Sequence, residues 1–195
     1  MKSKIIIVQG HPCLGKSSLC NKLKNDLKFC KYFKVDNFKT YLWDKKGFSN
    51  VIEREELSNE AFDNFLAVLE YTINNDGYDY ILLDYPFKNI KWSKLIELLP
   101  KYDVDVKMIY LYTKQITEFY NEILKRFSSS DYHKGNHAMS YKDGRGSGYE
   151  IEYPNPFKDL DTIENTLRVE IGFDKYNMSV SYEDILDFIV GDKEQ

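Results

Sequence analysis

Two rhythms of apolar residues alternate along this chain. Short continuous runs at residues 4–9, 31–35, 80–84, 106–112 and 176–180 have the length and the branched and aromatic content of buried strands. Between them apolar residues recur every third or fourth position, which predicts helices. The first covers 16–27, with Leu19, Leu23 and Leu27 on one stripe. The next covers 53–75, with Leu57, Ala61, Phe65, Leu69 and Ile73 aligned and Asp76-Gly77 as its stop. Further helices are predicted over 92–99, ended by Pro100; over 114–127, with Ile116, Phe119, Ile123 and Phe127 in register; over 160–171; and from a Ser181 cap to Val190. Strands alternating with helices are the pattern of βαβ units, so the expected fold is α/β, a three-layer α/β/α sandwich around a five-stranded, mostly parallel sheet. Residues 128–158 break both rhythms. They are polar, rich in Gly, Ser and Tyr, and contain Pro154 and Pro156. A stretch of that length is too long for an ordinary connection, so a lid insertion or a disordered loop within a single domain over 1–195 is expected.

Composition changes this picture little. With 195 residues, 43% of them hydrophobic, the chain has enough apolar surface for one core. A net charge of -4 argues against sequence-independent binding to DNA or anionic membranes, so nucleic acid is not an expected partner. No apolar stretch approaches the length of a membrane span. Cys13, Cys20 and Cys30 form no C-x-x-C pair, and their odd number suggests reduced thiols in a cytoplasm. A soluble monomer or homodimer is expected. His11, His133 and His137 lack the paired spacing of a zinc site.

The candidate chemistry begins where the first strand ends. Gly10-His11-Pro12-Cys13-Leu14-Gly15-Lys16-Ser17, followed by Ser18, fills every fixed position of the phosphate-binding pattern G-x-x-x-x-G-K-[ST]. The glycines let the backbone turn so that successive N–H groups point at a phosphate, while Lys16 adds a point charge and the Ser17 hydroxyl is suited to Mg²⁺. A strand before the loop and a helix after it put the helix N-terminus where the anion would lie. A nucleoside triphosphate is therefore the expected ligand: ATP, with GTP left open, although no N-K-x-D guanine motif is present. Asp84 ends a predicted strand, on the edge where ligands gather in open α/β sheets, and is the second Mg²⁺ candidate.

From these residues a resemblance follows. Ile81-Leu82-Leu83-Asp84-Tyr85-Pro86-Phe87-Lys88 resembles the adenylate kinase segment L-D-G-F-P-R, although its Gly, Phe, Pro and Arg are replaced or exchanged. Lys16-Ser17-Ser18 is more similar to the zeta-toxin, chloramphenicol phosphotransferase and polynucleotide kinase group. The chain thus resembles P-loop nucleotide and small-molecule kinases, which implies the P-loop NTPase fold, ATP, Mg²⁺ and a small-molecule phosphoryl acceptor. Asp36-Asn37-Phe38 resembles the element whose aspartate accepts the proton of a substrate hydroxyl, which would make Asp36 the base; its alternative is a helix N-cap for 37–42. The resemblance also extends to an arginine-bearing helix after the lid. The arginines are Arg54, Arg126, Arg145 and Arg168. All but Arg54 fall in or beside 128–158, where a planar fork suits a phosphate clamp. Arg54 is left for an acceptor phosphate, with Lys39 and Lys88 as helpers. That scarcity of arginine favours a hydroxyl acceptor over a nucleoside monophosphate. A non-catalytic nucleotide-binding module and a polynucleotide 5′-kinase are the other readings. The lid tyrosines, among them Tyr132, Tyr141, Tyr149 and Tyr153, are expected to serve packing.

Overall fold

The computed structural model describes residues 2–115, 119, 125, 133–149, 162–172 and 177–191. Its first strand, β1 (Ser3–Gly10), is buried from Ile5 onward because it has neighbours on both edges and helices on both faces. The other sheet strands are β2 (Cys30–Lys34), β3 (Tyr80–Asp84), β4 (Val104–Tyr112) and β7 (Thr166–Glu170), in the order β2-β3-β1-β4-β7, every pair parallel. Two strands outside this sheet, β5 (Ala138–Lys142) and β6 (Arg145–Tyr149), form an antiparallel hairpin. The helices are α1 (Lys16–Asp26), α2 (Asp36–Lys46), α3 (Val51–Asn75), α4 (Asn89–Leu98) and α5 (Tyr182–Val190).

Alternation along the strands divides the core between the two faces of the sheet. Ile5, Ile7, Leu83, Met108 and Tyr110 pack beneath α3 and α4, against Phe62, Phe65 and Leu69. Ile6, Val8, Leu82, Ile109 and Val169 pack beneath α1 and α5, against Leu19, Leu23 and Ile185. Each such side chain, fully buried, contributes roughly 1.5–3 kcal/mol. Two helix starts carry side-chain caps. The Asn50 side chain accepts from Glu53 N–H at the head of α3, and Ser181 with Asp184 forms a capping box on α5. No helix among the described residues is long and apolar enough to cross a membrane.

Two expectations near the C-terminus are corrected. The fifth strand is Thr166–Glu170, inside the segment read as a helix over 160–171, and among the described residues the predicted strand at 176–180 contributes an isolated bridge, Ile171 to Met178. The reason is a coincidence of periods. Ile163, Leu167 and Ile171 are four apart, a spacing that lies on one face of a helix and equally on one face of a strand. The alternation Thr166-Leu167-Arg168-Val169-Glu170 was the better guide, for Val169 is buried beside α1 while Arg168 is exposed. Most of the predicted helix 114–127 lies outside the described residues. Within 128–158, the hairpin was legible in Asp143-Gly144, where both residues have positive φ, 49° and 76°, as a tight two-residue turn requires.

Candidate active site

The loop between β1 and α1 is set by two close approaches. Gly10 pairs with Leu111 across the sheet at φ 145°, and a Cβ there would sit 2.4 Å from the Leu111 carbonyl oxygen. Any side chain would push the loop off β4. Gly15 is the N-cap of α1, and no side chain caps this helix, so its first N–H groups are left to the loop. Lys16, only 9% exposed, sends its Nζ back across the loop to the His11 carbonyl at 2.8 Å. Behind it the Ser17 Oγ donates to Asp84 Oδ2 at 2.6 Å, and the Tyr32 hydroxyl donates to the same oxygen at 2.8 Å. Asp84 is itself buried. One hydroxyl and one carboxylate are hard oxygen donors that fit Mg²⁺, which keeps several waters and shares phosphate oxygens. Among the described residues no group of three or more His, Cys, Asp or Glu could hold a metal on its own. Cys20 lies under the loop; burial, reinforced by the Asp84 charge, pushes its thiol far up and makes it inert.

The sheet edge that carries the loop also carries Asp36. Val8, Asp84 and Lys34 are level across β1, β3 and β2, so the loop, Asp84 and the start of α2 open on the same side. Helix α2 begins at Asp36, with Val35 as its N-cap, so Asp36 is not the capping residue. Its carboxylate pairs instead with Lys39, Nζ to Oδ1 2.6 Å. Burial opposes ionisation of Asp36, but the Lys39 ammonium, with Lys16 and Lys34 beyond it, holds the carboxyl below its ordinary value. Burial likewise opposes the charge on Lys39, and Asp36 with Tyr85 outweighs it and keeps the ammonium charged. Lys39 is the more enclosed partner at 17% side-chain exposure against 45% for Asp36, its Nζ lying 5.0 Å from the Tyr85 ring centroid and 5.6 Å from that of Trp43. Tyr85 is steadied by its neighbour. The Gln9 side chain both donates to the Phe87 carbonyl, at 2.8 Å, and accepts from the Phe87 N–H, at 2.7 Å.

A third group comes from the hairpin. Tyr141 and Phe48 exchange backbone hydrogen bonds of 2.7 and 2.8 Å, and the Tyr141 and Phe48 rings stack beside Trp43. Gly47, at φ 64°, permits this approach, since a Cβ would meet the Tyr141 carbonyl oxygen at 2.8 Å. Asp44 on α2 accepts from the Tyr141 hydroxyl and lies 3.1 Å from His133 Nε2. Arg54 donates from Nη1 to the Ala138 carbonyl at 2.8 Å. The arginine expected to serve an acceptor phosphate is thus engaged in holding the hairpin. Of the expected clamp, Arg145 is exposed on β6 and Arg126 lies outside the described residues. Arg168 is not on a helix after the lid; it sits on β7 with its guanidinium 5.1 Å from the Tyr110 ring centroid, on the sheet face opposite α1. Sequence reasoning missed Tyr32 altogether, because nothing in a short edge strand marks a tyrosine for a carboxylate on the next strand. A cavity of about 350 Å³ lined by Leu99, Tyr102, Val104, Ile163 and Glu164 lies at the far end of β4 from the loop.

This architecture, a five-stranded parallel sheet between helical layers with the phosphate loop after β1, is the P-loop NTPase fold in its three-layer α/β/α form. No family model matches the chain, and no curated protein matches it. Among solved structures it is similar to a kinase candidate from Chloroflexus aurantiacus, with a TM-score of 0.73 at 18% identity, over 97% of this chain and 98% of that one. It is also similar to the Mycobacterium tuberculosis APS kinase solved with AMPPNP and APS, with a TM-score of 0.54 at 14% identity, over 97% and 99% of the two chains. A sugar kinase from Janibacter gives a TM-score of 0.50 at 11% identity, over 87% and 86%. At these identities the likeness is one of fold.

Proposed function

We propose that this protein is an ATP- and Mg²⁺-dependent phosphotransferase that moves the γ-phosphoryl group onto a hydroxyl of a small, nucleotide-like or other metabolite. The observation that carries this reading is the Asp36 carboxylate, half-exposed and paired with Lys39 on the same sheet edge as the phosphate loop. The loop N–H groups and Lys16 bind and orient the triphosphate; Ser17 and Asp84 would hold the cation. When bound, Mg²⁺ neutralises charge on the phosphate oxygens. The acceptor hydroxyl sits against Asp36, its oxygen attacks the γ-phosphorus as the bond to the leaving diphosphate breaks, and the hydroxyl proton passes to Asp36. A carboxylate held below its ordinary range is a weak base. Asp36 therefore chiefly orients the hydroxyl and takes the proton as transfer advances.

The engagement of Arg54 with Ala138 favours this acceptor over a nucleoside monophosphate, which is already anionic and calls for free cations rather than a base. Residues 128–158 are assigned as the lid, with Arg126 and Arg145 as its phosphate clamp. The structural neighbours of kinase name are consistent with phosphoryl transfer. The test is a phosphoryl-transfer assay on a metabolite panel, with ATP and GTP as donors. Steady turnover with one hydroxylated compound is expected. Tight nucleotide binding without transfer to any member would leave a nucleotide-binding module instead, and a 5′-hydroxyl oligonucleotide as best acceptor would make it a polynucleotide kinase.

A further inference from the structure

The hydroxyl of Tyr32 has no part in the reaction just described, yet it ends on the carboxylate that would hold the cation. Tyr32 pairs with Leu82 across β2 and β3, and Asp84 is two residues further on, on the same face. An aromatic side chain is long enough to bridge such a diagonal, and here the phenol reaches Asp84 Oδ2 at 2.8 Å. Ser17 donates to that same oxygen at 2.6 Å, so two hydroxyls converge on it. We propose that Tyr32 is a positioning residue for the divalent cation, fixing the Asp84 carboxylate so that metal affinity depends on its hydroxyl while nucleotide affinity without metal does not.

The effect is one of orientation, and it rests on the reading of Ser17 and Asp84 as the cation site. A carboxylate at the end of a strand turns freely about its last torsion unless hydrogen bonds hold it. Ser17 supplies one such bond, but its oxygen is also read as a ligand, and it stands next to the phosphate loop. Tyr32 stands on β2, which is tied to β3 by the parallel ladder. Both hydroxyls donate to Oδ2, so together they fix which way the carboxylate faces. Partners of this kind, which touch a ligand and not the metal, typically change metal affinity by about 10–100-fold.

The test measures Mn²⁺ affinity by electron paramagnetic resonance on the full chain saturated with AMPPNP, and AMPPNP affinity separately in EDTA. Tyr32→Phe removes one oxygen from a half-buried ring, and its melting temperature checks that it folds. Tyr80→Phe, which removes a hydroxyl from β3 without touching Asp84, is the control. The expected result is Mn²⁺ binding weaker by about tenfold or more in Tyr32→Phe, weaker still in Asp84→Asn, and little changed in Tyr80→Phe, with AMPPNP affinity in EDTA close to wild type in Tyr32→Phe. Unchanged Mn²⁺ affinity in Tyr32→Phe beside a large loss in Asp84→Asn would overturn the role of Tyr32 and leave the cation site standing. No loss in either variant would remove the cation site and this proposal with it. An equal loss of AMPPNP affinity in EDTA, or an equal effect in Tyr80→Phe, would show a general loosening of the sheet and also defeat the proposal.

Discussion

The two halves of the candidate site are built in opposite ways. The phosphate side is local: Gly10 to Ser17 are consecutive, and the loop closes on itself when Lys16 reaches His11. The acceptor side is assembled from distant pieces, Asp36, Lys39 and Trp43 on α2, Tyr85 after β3, and a hairpin nearly a hundred residues beyond α2. The difference teaches that a triphosphate cradle requires only a turn and a helix start, which any strand–loop–helix can carry. A pocket that recognises one metabolite needs walls from several directions, and so depends on the whole fold.

Breaking the local side is expected to have the largest effect. Lys16→Ala should lower kcat/KM by about 10³-fold, the upper range for loss of one preorganised electrostatic contact, and weaken ATP binding in a direct titration. Untouched affinity and activity would refute the phosphate-loop assignment. On the assembled side, Asp36→Asn should lower kcat by roughly 10²-fold or more with little loss of ATP binding, because the amide can neither orient the hydroxyl as a carboxylate does nor take its proton. Near-wild-type turnover, with a nucleoside monophosphate as best acceptor, would move the protein to the nucleoside monophosphate kinases.

A smaller effect sharpens the same comparison. Activity through Asp36 needs its carboxylate, so it is lost as pH falls through the Asp36 pKa, which Lys39 holds low. Removing that cation raises the pKa. In Lys39→Met the acidic fall of kcat should begin at a higher pH than in wild type, and Lys39→Arg should restore it. A pH profile that does not move would show that the pair is structural only.

The smallest effect is expected where the hairpin docks. Gly47→Ala puts a Cβ against the Tyr141 carbonyl at a positive φ, a strain of order 1–3 kcal/mol. Faster hydrogen exchange across 138–142, with a raised acceptor KM and unchanged ATP affinity, would tie the hairpin to the acceptor side. Acid should loosen the same contact. The Tyr141 hydroxyl bond, aided by His133, holds the Asp44 carboxyl below its ordinary value, so the docking it supports is present above the usual carboxylate range and lost as pH falls through the lowered pKa.

How much of this was legible beforehand follows from the range of each interaction. The strands β1 to β4, the helices α1 and α3, the phosphate loop and Asp84 at a strand end were readable because apolar runs, helical stripes and the loop pattern are properties of neighbouring residues. The exchange of helix for strand at 166–170 was not, since a spacing of four satisfies both periods and only pairing with β4 decides between them. Nor were the reassignment of Arg54 to the hairpin, the Lys39 pairing that replaces the N-cap alternative for Asp36, or Tyr32 on Asp84. By itself, then, the sequence determined an α/β architecture with a phosphate-loop pattern after its first strand, because both are written in local periodicity and backbone geometry. Which cations are engaged and which carboxylates they hold was decided only by the tertiary structure, because such pairs join residues whose separation along the chain carries no pattern.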